Sequence, residues 1–248
     1  MNWTAPFDVF NPRGKAAVVI VCDHASNALP AEIGDLGVGS EDMQRHIAWD
    51  IGAEPIARYL AEAFDAPAVL CGTSRLVIDC NRKLHDPTLI PAVSDGIIVP
   101  ANEGLTEAQR QHRIDAYFHS YHAACRQVIE ARCKRGERPL FLSIHSMTEQ
   151  MNGSHRPWEI SFSSNENRRA TAPVLAALRE VPGLVVGDNQ PYDMDPTQDY
   201  STPEHALSRG LDYIQVEFRQ DLVAEVRGQE DYAAIFADAL KRSGILKR

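Results

Sequence analysis

The stretch Ala17-Val18-Val19-Ile20-Val21-Cys22-Asp23-His24 indicates the fold class of this chain. Its apolar residues form a continuous run that ends at an acid and a histidine. Such a run, followed by turn-forming residues, predicts a central strand of a sheet that is covered on both faces. In open α/β sheets the chemistry gathers at the carboxyl ends of such strands, so Asp23 and His24 stand where functional groups are expected.

Two later segments have the same form. Residues 139–146 are mostly apolar and carry His145 next to their end, and residues 212–219 close on Glu217 and Arg219. We expect the ends of these three strands to converge on one site.

Between these strands the apolar residues recur at helical spacing, which predicts amphipathic helices. The predicted helices are a segment from residue 41 with Ser40 as its N-cap, then 50–64, 106–134, 168–180, 204–209 and 229–241. The shorter predicted strands are 68–71, 158–162, 184–187 and the first part of 73–82. Long loops without periodicity are predicted at 83–104 and 188–203. The alternation of strands and helices predicts an α/β sandwich with an at least partly parallel sheet.

Composition narrows the class of protein. The 248 residues show no linker or internal repeat, and we expect a single domain over 1–248. The net charge of -9, from 25 basic and 34 acidic residues, argues against a nucleic-acid-binding surface. Five cysteines without a CxxC pair predict free thiols and a reducing cytoplasm. The first residues lack the pattern of a secretory signal, and no run is long enough to span a membrane.

Two histidines and one carboxylate are candidate metal ligands. His24 and His145 each follow an apolar strand, and Asp50 lies at the predicted start of a helix. Zinc favours imidazole nitrogen and carboxylate oxygen, and a catalytic zinc site keeps one position for water. The spacing forms no compact signature, so the alternative stays open that both histidines are hydrogen-bonded structural residues.

Glu217 is the candidate general base because it lies near a strand end, where partial dehydration suits a proton-transferring carboxylate. The alternative is a structural ion pair with Arg219, since residues two apart in a strand share a face.

A polar cluster follows the apolar part of 73–82 and contains Arg75, Asp79, Asn81 and Arg82. Arginine binds carboxylates through a bidentate fork, so this cluster suits an anionic substrate. The alternative is a solvated turn that Asp and Asn side chains close.

Several short motifs together resemble the N-formylglutamate amidohydrolase family over roughly residues 18–222. They are Asp23-His24-Ala25-Ser26-Asn27, His46-Ile47-Ala48-Trp49-Asp50, Ser74-Arg75, Asp79-Cys80-Asn81-Arg82, Tyr121-His122, Ile144-His145-Ser146 and Val216-Glu217-Phe218-Arg219. That family is similar to zinc carboxypeptidases and cell-wall amidases. The resemblance implies a phosphorylase/hydrolase-like fold, a three-layer α/β sandwich with a mixed, largely parallel central sheet.

The resemblance also implies a function. It implies one Zn²⁺ per chain, or another divalent ion, held by His24, Asp50 and His145, with Glu217 as the base. Position 27 is Asn where carboxypeptidases carry the ligand Glu, so Asp50 resembles instead the helix-start carboxylate of cell-wall amidases. Asn81 and Arg82 resemble the pair with which carboxypeptidases hold a substrate carboxylate, and Arg75 and Arg219 complete the expected substrate-binding set.

The implied reaction is hydrolysis of N-formyl-L-glutamate, a small acidic amino-acid derivative, to formate and L-glutamate. Two alternatives remain at this point. One is a zinc hydrolase of another N-acyl amino acid or of a cell-wall peptide. The other is a metal-free binding protein on the same fold.

Overall fold

The computed structural model describes residues 5–247, so residues 1–4 and 248 of the predicted domain lie outside the described part. The strands are β1 (Phe7–Phe10), β2 (Val18–Cys22), β3 (Ala68–Cys71), β4 (Val93–Ser94), β5 (Ile97–Ile98), β6 (Leu140–Met147), β7 (Gln150–Met151), β8 (Ser154–His155), β9 (Ile160–Ser163), β10 (Val186–Asp188) and β11 (Tyr213–Arg219). The α-helices are α1 (Ala53–Phe64), α2 (Glu107–Arg113), α3 (Ser120–Cys133), α4 (Thr171–Arg179), α5 (Ser201–His205), α6 (Gln220–Val223) and α7 (Val226–Arg242).

Seven strands form one central sheet in the order β1-β3-β2-β6-β11-β9-β10. The four strands β3, β2, β6 and β11 run parallel to one another. Strand β1 is antiparallel to β3, and β9 is antiparallel to β11 while β10 runs parallel to β9. Four further strands form two short hairpins, β4 with β5 and β7 with β8. The predicted three-layer α/β sandwich with a mixed, largely parallel sheet is confirmed.

The alternation of side chains along β2 explains the three layers. Val18 and Ile20 belong to a core shared with α1, α4 and α7, whereas Val19 and Val21 belong to a second core shared with α3. Successive strand residues point to opposite faces, so an unbroken apolar run fits a strand that is buried on both. Every residue of β2 is buried, as the sequence predicts.

The long predicted helix at 106–134 is present but carries one wide turn. Thr106 begins it with a capping box, in which its side chain accepts from the Gln109 backbone N–H and Gln109 reaches back to Thr106. The segment Ile114–His119 has the wider hydrogen bonding of a π-helix, and α3 continues from Ser120. Such turns within α-helices often lie close to functional sites.

Two predicted elements are wrong. A single 3₁₀ turn, Asp42–Gln44, replaces the helix from residue 41, because Arg45 has extended backbone (φ -89°, ψ 166°) that ends the helical hydrogen bonding. The Ser40 side chain does not cap this turn. The predicted strand within 73–82 is a series of turns. There, Ser74 and Asp79 side chains accept backbone N–H groups two residues ahead, which competes with strand pairing.

Two observations bear on the expectations from composition. All five cysteines are free thiols, and four of them are buried, with Cys133 exposed. Within the described residues, no helix combines the length and apolar character needed to cross a membrane.

Candidate active site

The ends of three parallel strands meet at a cavity of about 670 Å³. His24 follows β2, His145 lies in β6, and Glu217 lies in β11 opposite His145 in the parallel register. Asp50 joins them just before α1, where its backbone N–H donates to the His24 carbonyl at 2.9 Å. The structure therefore brings together four residues that are up to 193 positions apart in the chain, from His24 to Glu217.

One carboxylate oxygen connects the two histidines. The Nδ1 atom of His24 lies 3.3 Å from Oδ2 of Asp50, and the Nδ1 atom of His145 lies 2.9 Å from the same oxygen. All three side chains are buried, and their potential ligand atoms lie within 4.8 Å of one another. This cluster is a candidate metal centre with two nitrogen donors and one oxygen donor.

The opposite ring nitrogens are also held by acids. Nε2 of His24 lies 2.8 Å from Oδ1 of Asp79, and Nε2 of His145 forms an ion pair with Oδ2 of Asp23 at 3.4 Å. Ser143 adds a hydroxyl 3.0 Å from Nε2 of His145. Carboxylates that hold the outer nitrogen of a histidine are typical of metal sites, because they fix the orientation of the ring.

The pKa values of both histidines follow from these acids. Burial and the charge of Arg75 act to lower the pKa of His24, yet Asp79 and Asp50 raise it above its ordinary value. Burial likewise acts against protonation of His145, but its hydrogen bonds to Asp23 and Asp50 raise its pKa well above the ordinary range. The cluster therefore holds protons strongly at the positions where a cation could replace them.

Arg75 lies within this network and has few donors left for a substrate. Its Nε and one terminal nitrogen donate to Oδ2 of Asp79 at 3.1 and 2.7 Å, and its other terminal nitrogen lies 3.4 Å from Asp50. The arginine thereby holds both carboxylates that touch His24. These contacts suit a residue that positions the two carboxylates, and the expected substrate-binding role of Arg75 stays a prediction.

Asn81 and Arg82 line the cavity, but both polar atoms of the Asn81 side chain are hydrogen-bonded within the protein, whereas the Arg82 side chain is partly exposed. The Asn81 side chain accepts from the backbone N–H groups of Tyr200 and Ser201, both at 3.0 Å, and donates to Asp199 at 3.1 Å. It therefore holds the loop that precedes α5. Arg82 lies 3.6 Å from Asp199 and keeps about a quarter of its side chain exposed, at 25%.

Arg219 does not line the cavity, and its role in substrate binding stays a prediction. Its guanidinium forms a bidentate pair with Asp221 at 2.8 and 3.1 Å and donates to the carbonyls of Arg156 and Pro157. Arg219 is the last residue of β11, where α6 begins directly, so a nearby acid on the new helix captures its side chain.

Glu217 remains as an unpaired acid in the cavity. The predicted alternative, an ion pair with Arg219, does not form, and among residues 5–247 the Glu217 side chain has no hydrogen bond or ion pair. Glu217 is 8% exposed. Burial, reinforced by the charge of Asp50, raises its pKa to about 7. A carboxylate in this state can accept and return a proton near neutral pH.

The roles of Asp79 and Asp23 were not evident from the sequence. Asp79 stood within a polar cluster and Asp23 beside a candidate ligand, but nothing in the spacing indicated that each holds a histidine. Asp23 is itself fixed, since Tyr121 and Ser201 donate hydroxyl hydrogen bonds to its Oδ1 at 2.8 and 2.6 Å.

A second buried group, formed by His122, Cys125 and His205, also has metal-ligand chemistry. His122 donates from Nε2 to the Cys80 carbonyl at 2.9 Å, and its Nδ1 lies 2.9 Å from Nε2 of His205. Burial lowers the pKa of His122 to about 4. A neutral hydrogen-bonded pair of histidines accounts for these contacts.

Comparison with known proteins identifies the family. A sequence model described as N-formylglutamate amidohydrolase matches residues 16–224. The chain belongs to the N-formylglutamate amidohydrolase family. This confirms the resemblance drawn from the motifs and supports hydrolase chemistry for the site.

Two solved structures are similar to this chain over nearly its whole length. The crystal structure of a gene product from Agrobacterium tumefaciens is similar over 96% of this chain and 94% of that one, with 32% identity and a TM-score of 0.93. N-formylglutamate amidohydrolase from Ralstonia eutropha JMP134 covers 98% and 99% of the two chains, with 22% identity and a TM-score of 0.73, which supports the fold. Comparison with curated proteins gives no match.

Proposed function

We propose that this member of the N-formylglutamate amidohydrolase family is a zinc-dependent enzyme that hydrolyses N-formyl-L-glutamate to formate and L-glutamate. The observation that carries the proposal is the convergence of both Nδ1 atoms on Asp50 Oδ2, with the unpaired Glu217 carboxylate in the same cavity. The name of the family supplies the substrate.

The residues fit a zinc ion. His24, Asp50 and His145 offer two nitrogens and one oxygen, which is a donor set that catalytic zinc uses while keeping one position open. The raised pKa values of the histidines show that the acids around them favour positive charge there. A dication would take the place of the protons at Nδ1, while Asp79 and Asp23 continue to hold the outer nitrogens.

A bound zinc ion would supply Lewis-acid polarisation of the formyl carbonyl and a lowered pKa for the attacking water. Glu217 would accept a proton from the water that adds to the formyl carbon and would deliver it to the amide nitrogen as the bond between that nitrogen and the formyl carbon breaks. The products are formate and the free amino group of glutamate. Burial of Glu217 suits both steps, because withdrawal of the carboxylate from water favours its protonated form and so helps it to take up a proton.

Substrate binding falls to the cationic residues that line the cavity. Arg82 keeps part of its guanidinium open to the cavity, and we infer that it binds a carboxylate of the substrate. Asn81 supports this arrangement by holding the neighbouring loop at Asp199 and Tyr200.

The test combines metal content with formate release. We expect about one zinc per wild-type chain by elemental analysis, its loss in His24→Ala and in His145→Ala, and formate production from N-formyl-L-glutamate by the wild type alone. Glu217→Gln should keep the zinc and lose turnover. Zinc-loaded wild type that releases no formate, or that prefers N-acetyl or longer acyl groups, would reject the proposed substrate. A wild type that binds no zinc when it is supplied would reject the metal.

A further inference from the structure

Arg156 is a buried arginine in the wall of the candidate active site. It follows the β7–β8 hairpin, lines the cavity, and is 8% exposed. One of its terminal nitrogens donates to the Thr148 hydroxyl at 3.1 Å, and the Tyr192 ring lies 4.9 Å from the guanidinium carbon. Both neighbours are uncharged, so they leave the positive charge uncompensated.

The other arginines of the cavity are each matched by an acid. Arg75 pairs with Asp79 and Asp50, and Arg82 lies 3.6 Å from Asp199. Among the described residues, Arg156 forms no ion pair with any carboxylate. A buried charge without a partner is unfavourable, and buried charges in proteins are therefore almost always paired. A carboxylate of the substrate would supply the missing counter-charge for Arg156.

Arg156 also lies near the proposed reaction centre. Burial and the charge of Glu217 raise the pKa of Tyr192, and the charge of Arg156 opposes that rise. Arg156, Tyr192 and Glu217 all line the same cavity. A ligand bound to Arg156 would occupy the cavity beside Glu217.

We propose that Arg156 binds a carboxylate of the substrate and selects N-acyl derivatives of acidic amino acids over neutral ones. The inference deepens the proposed function and rests on it. The guanidinium offers a planar fork that matches a carboxylate in bidentate geometry, and Thr148 and Tyr192 fix its orientation. N-Formylglutamate carries two carboxylates, and the cavity offers two guanidinium groups suited to them, Arg82 and Arg156.

The test compares three substrates in wild type and Arg156→Gln. They are N-formyl-L-glutamate, N-formyl-L-glutamine and N-formyl-L-isoglutamine, so each amide replaces one carboxylate with a neutral group of similar shape. We expect Arg156→Gln to lower kcat/KM for N-formyl-L-glutamate about 100-fold, mainly through KM, since a charged hydrogen-bonded pair is lost. For N-formyl-L-glutamine, which lacks the side-chain carboxylate, the wild type should already be slow and the substitution should change the rate less than about 3-fold, whereas for N-formyl-L-isoglutamine the substitution should still cost about 100-fold.

Two further variants test whether the loss in Arg156→Gln is specific to the guanidinium group of Arg156. Arg156→Lys keeps the charge without the fork and should recover part of the lost kcat/KM. Arg169 is exposed, does not line the cavity, and pairs with Asp212 at 2.8 Å. Arg169→Gln is therefore the control, and it should leave all three rates unchanged. Thermal unfolding of each variant shows whether it folds.

The three rates distinguish a failed role for Arg156 from a failed hydrolase activity. An equal loss for all three substrates in Arg156→Gln would overturn the role of Arg156 while the hydrolase activity stands. A wild type that turns over none of them rejects the proposed function, and calorimetric binding of L-glutamate and L-glutamine then decides the matter for Arg156. Preference for L-glutamate that disappears in Arg156→Gln supports the carboxylate site, and equal binding of the two amino acids overturns it.

Discussion

Oδ1 of Asp79 lies 2.8 Å from Nε2 of His24, although 55 residues separate the two in the chain. The other oxygen of Asp79 is held by Arg75, so the carboxylate cannot turn away from the histidine. With Nε2 fixed in this way, Nδ1 of His24 faces Asp50. A histidine that is anchored at one nitrogen presents the other in a defined direction, which favours metal binding.

Asp79→Asn should therefore weaken zinc binding. The substitution keeps the shape of the side chain but removes the charge that supports His24, and we expect zinc affinity to fall about 10–100-fold. Competition with a chromogenic chelator measures the affinity directly, without reference to turnover. Asp231→Asn on the exposed surface of α7 is the matched control. An unchanged affinity in Asp79→Asn would show that the His24 ring is fixed by other contacts.

Glu217 should make the metal-free protein less stable as pH rises. Its pKa is raised from 4.5 to about 7, so the folded state binds this proton more tightly than the unfolded chain does. Stability is then lost between those two pH values as the pH increases, and the loss reaches at most about 3 kcal/mol above pH 7. Glu217→Gln removes the titrating group, so the variant should gain stability over the wild type at pH 8 but not at pH 4.

Urea unfolding of chelator-treated protein at the two pH values checks this prediction. Glu230→Gln, at an exposed position of α7, is the control for removing one surface carboxylate. A gain for Glu217→Gln that is the same at both pH values would contradict the assignment of the raised pKa to this residue. Such a gain would mean that the buried Glu217 carboxylate, which the proposed proton transfer requires, lowers the stability of the folded protein.

The sequence predicted the elements that carry the site better than the contacts within it. The strands that end near His24, His145 and Glu217 are present, because unbroken apolar runs require burial on both faces of a sheet. The predicted strand within 73–82 is wrong, because hydrogen bonds from Ser74 and Asp79 to the local backbone fold it into turns. Propensity alone does not register such local competition.

The contacts of charged residues were harder to predict because they depend on distant partners. Arg75 and Arg219 are both predicted to bind substrate, and in the folded chain each forms an ion pair that the sequence did not indicate, Arg75 with Asp79 and Arg219 with Asp221. Arg156 shows the opposite case. Nothing in the sequence around Arg156 indicates its importance, which lies in the absence of an ion-pair partner among the described residues.

Asn81 should contribute to stability through the loop that it holds. Its carbonyl oxygen accepts from two backbone N–H groups, those of Tyr200 and Ser201, at the start of α5. Asn81→Ala leaves these donors without their partner, and we expect the free energy of unfolding to fall by about 1–3 kcal/mol. Asn167→Ala is the matched control, because the hydrogen bonds of that side chain to Leu211 and Arg169 are 3.5 Å long. Equal losses in the two variants, measured in urea, would argue against a special role for Asn81.

Gly52 should tolerate no side chain, because it combines a left-handed backbone with a close approach to a neighbouring segment. Its φ is 81°, and a Cβ atom at this position would lie 2.4 Å from the backbone carbonyl oxygen of Val223. The left-handed conformation costs an alanine about 1 kcal/mol, and displacement of the neighbouring backbone adds about 1–3 kcal/mol. Gly136 has φ 80° with no atom within 4 Å of a Cβ, so Gly136→Ala isolates the conformational term.

We therefore expect Gly52→Ala to lower the free energy of unfolding by about 2–4 kcal/mol and Gly136→Ala by about 1 kcal/mol. Because Gly52 lies two residues after Asp50, the shift should also weaken zinc binding in Gly52→Ala and leave it unchanged in Gly136→Ala. Urea unfolding and chelator competition on both variants provide the measurements. If the two substitutions lower the free energy of unfolding equally, the Val223 carbonyl can move aside at no cost. In that case the packing of α6 against the start of α1 does not determine the position of Asp50.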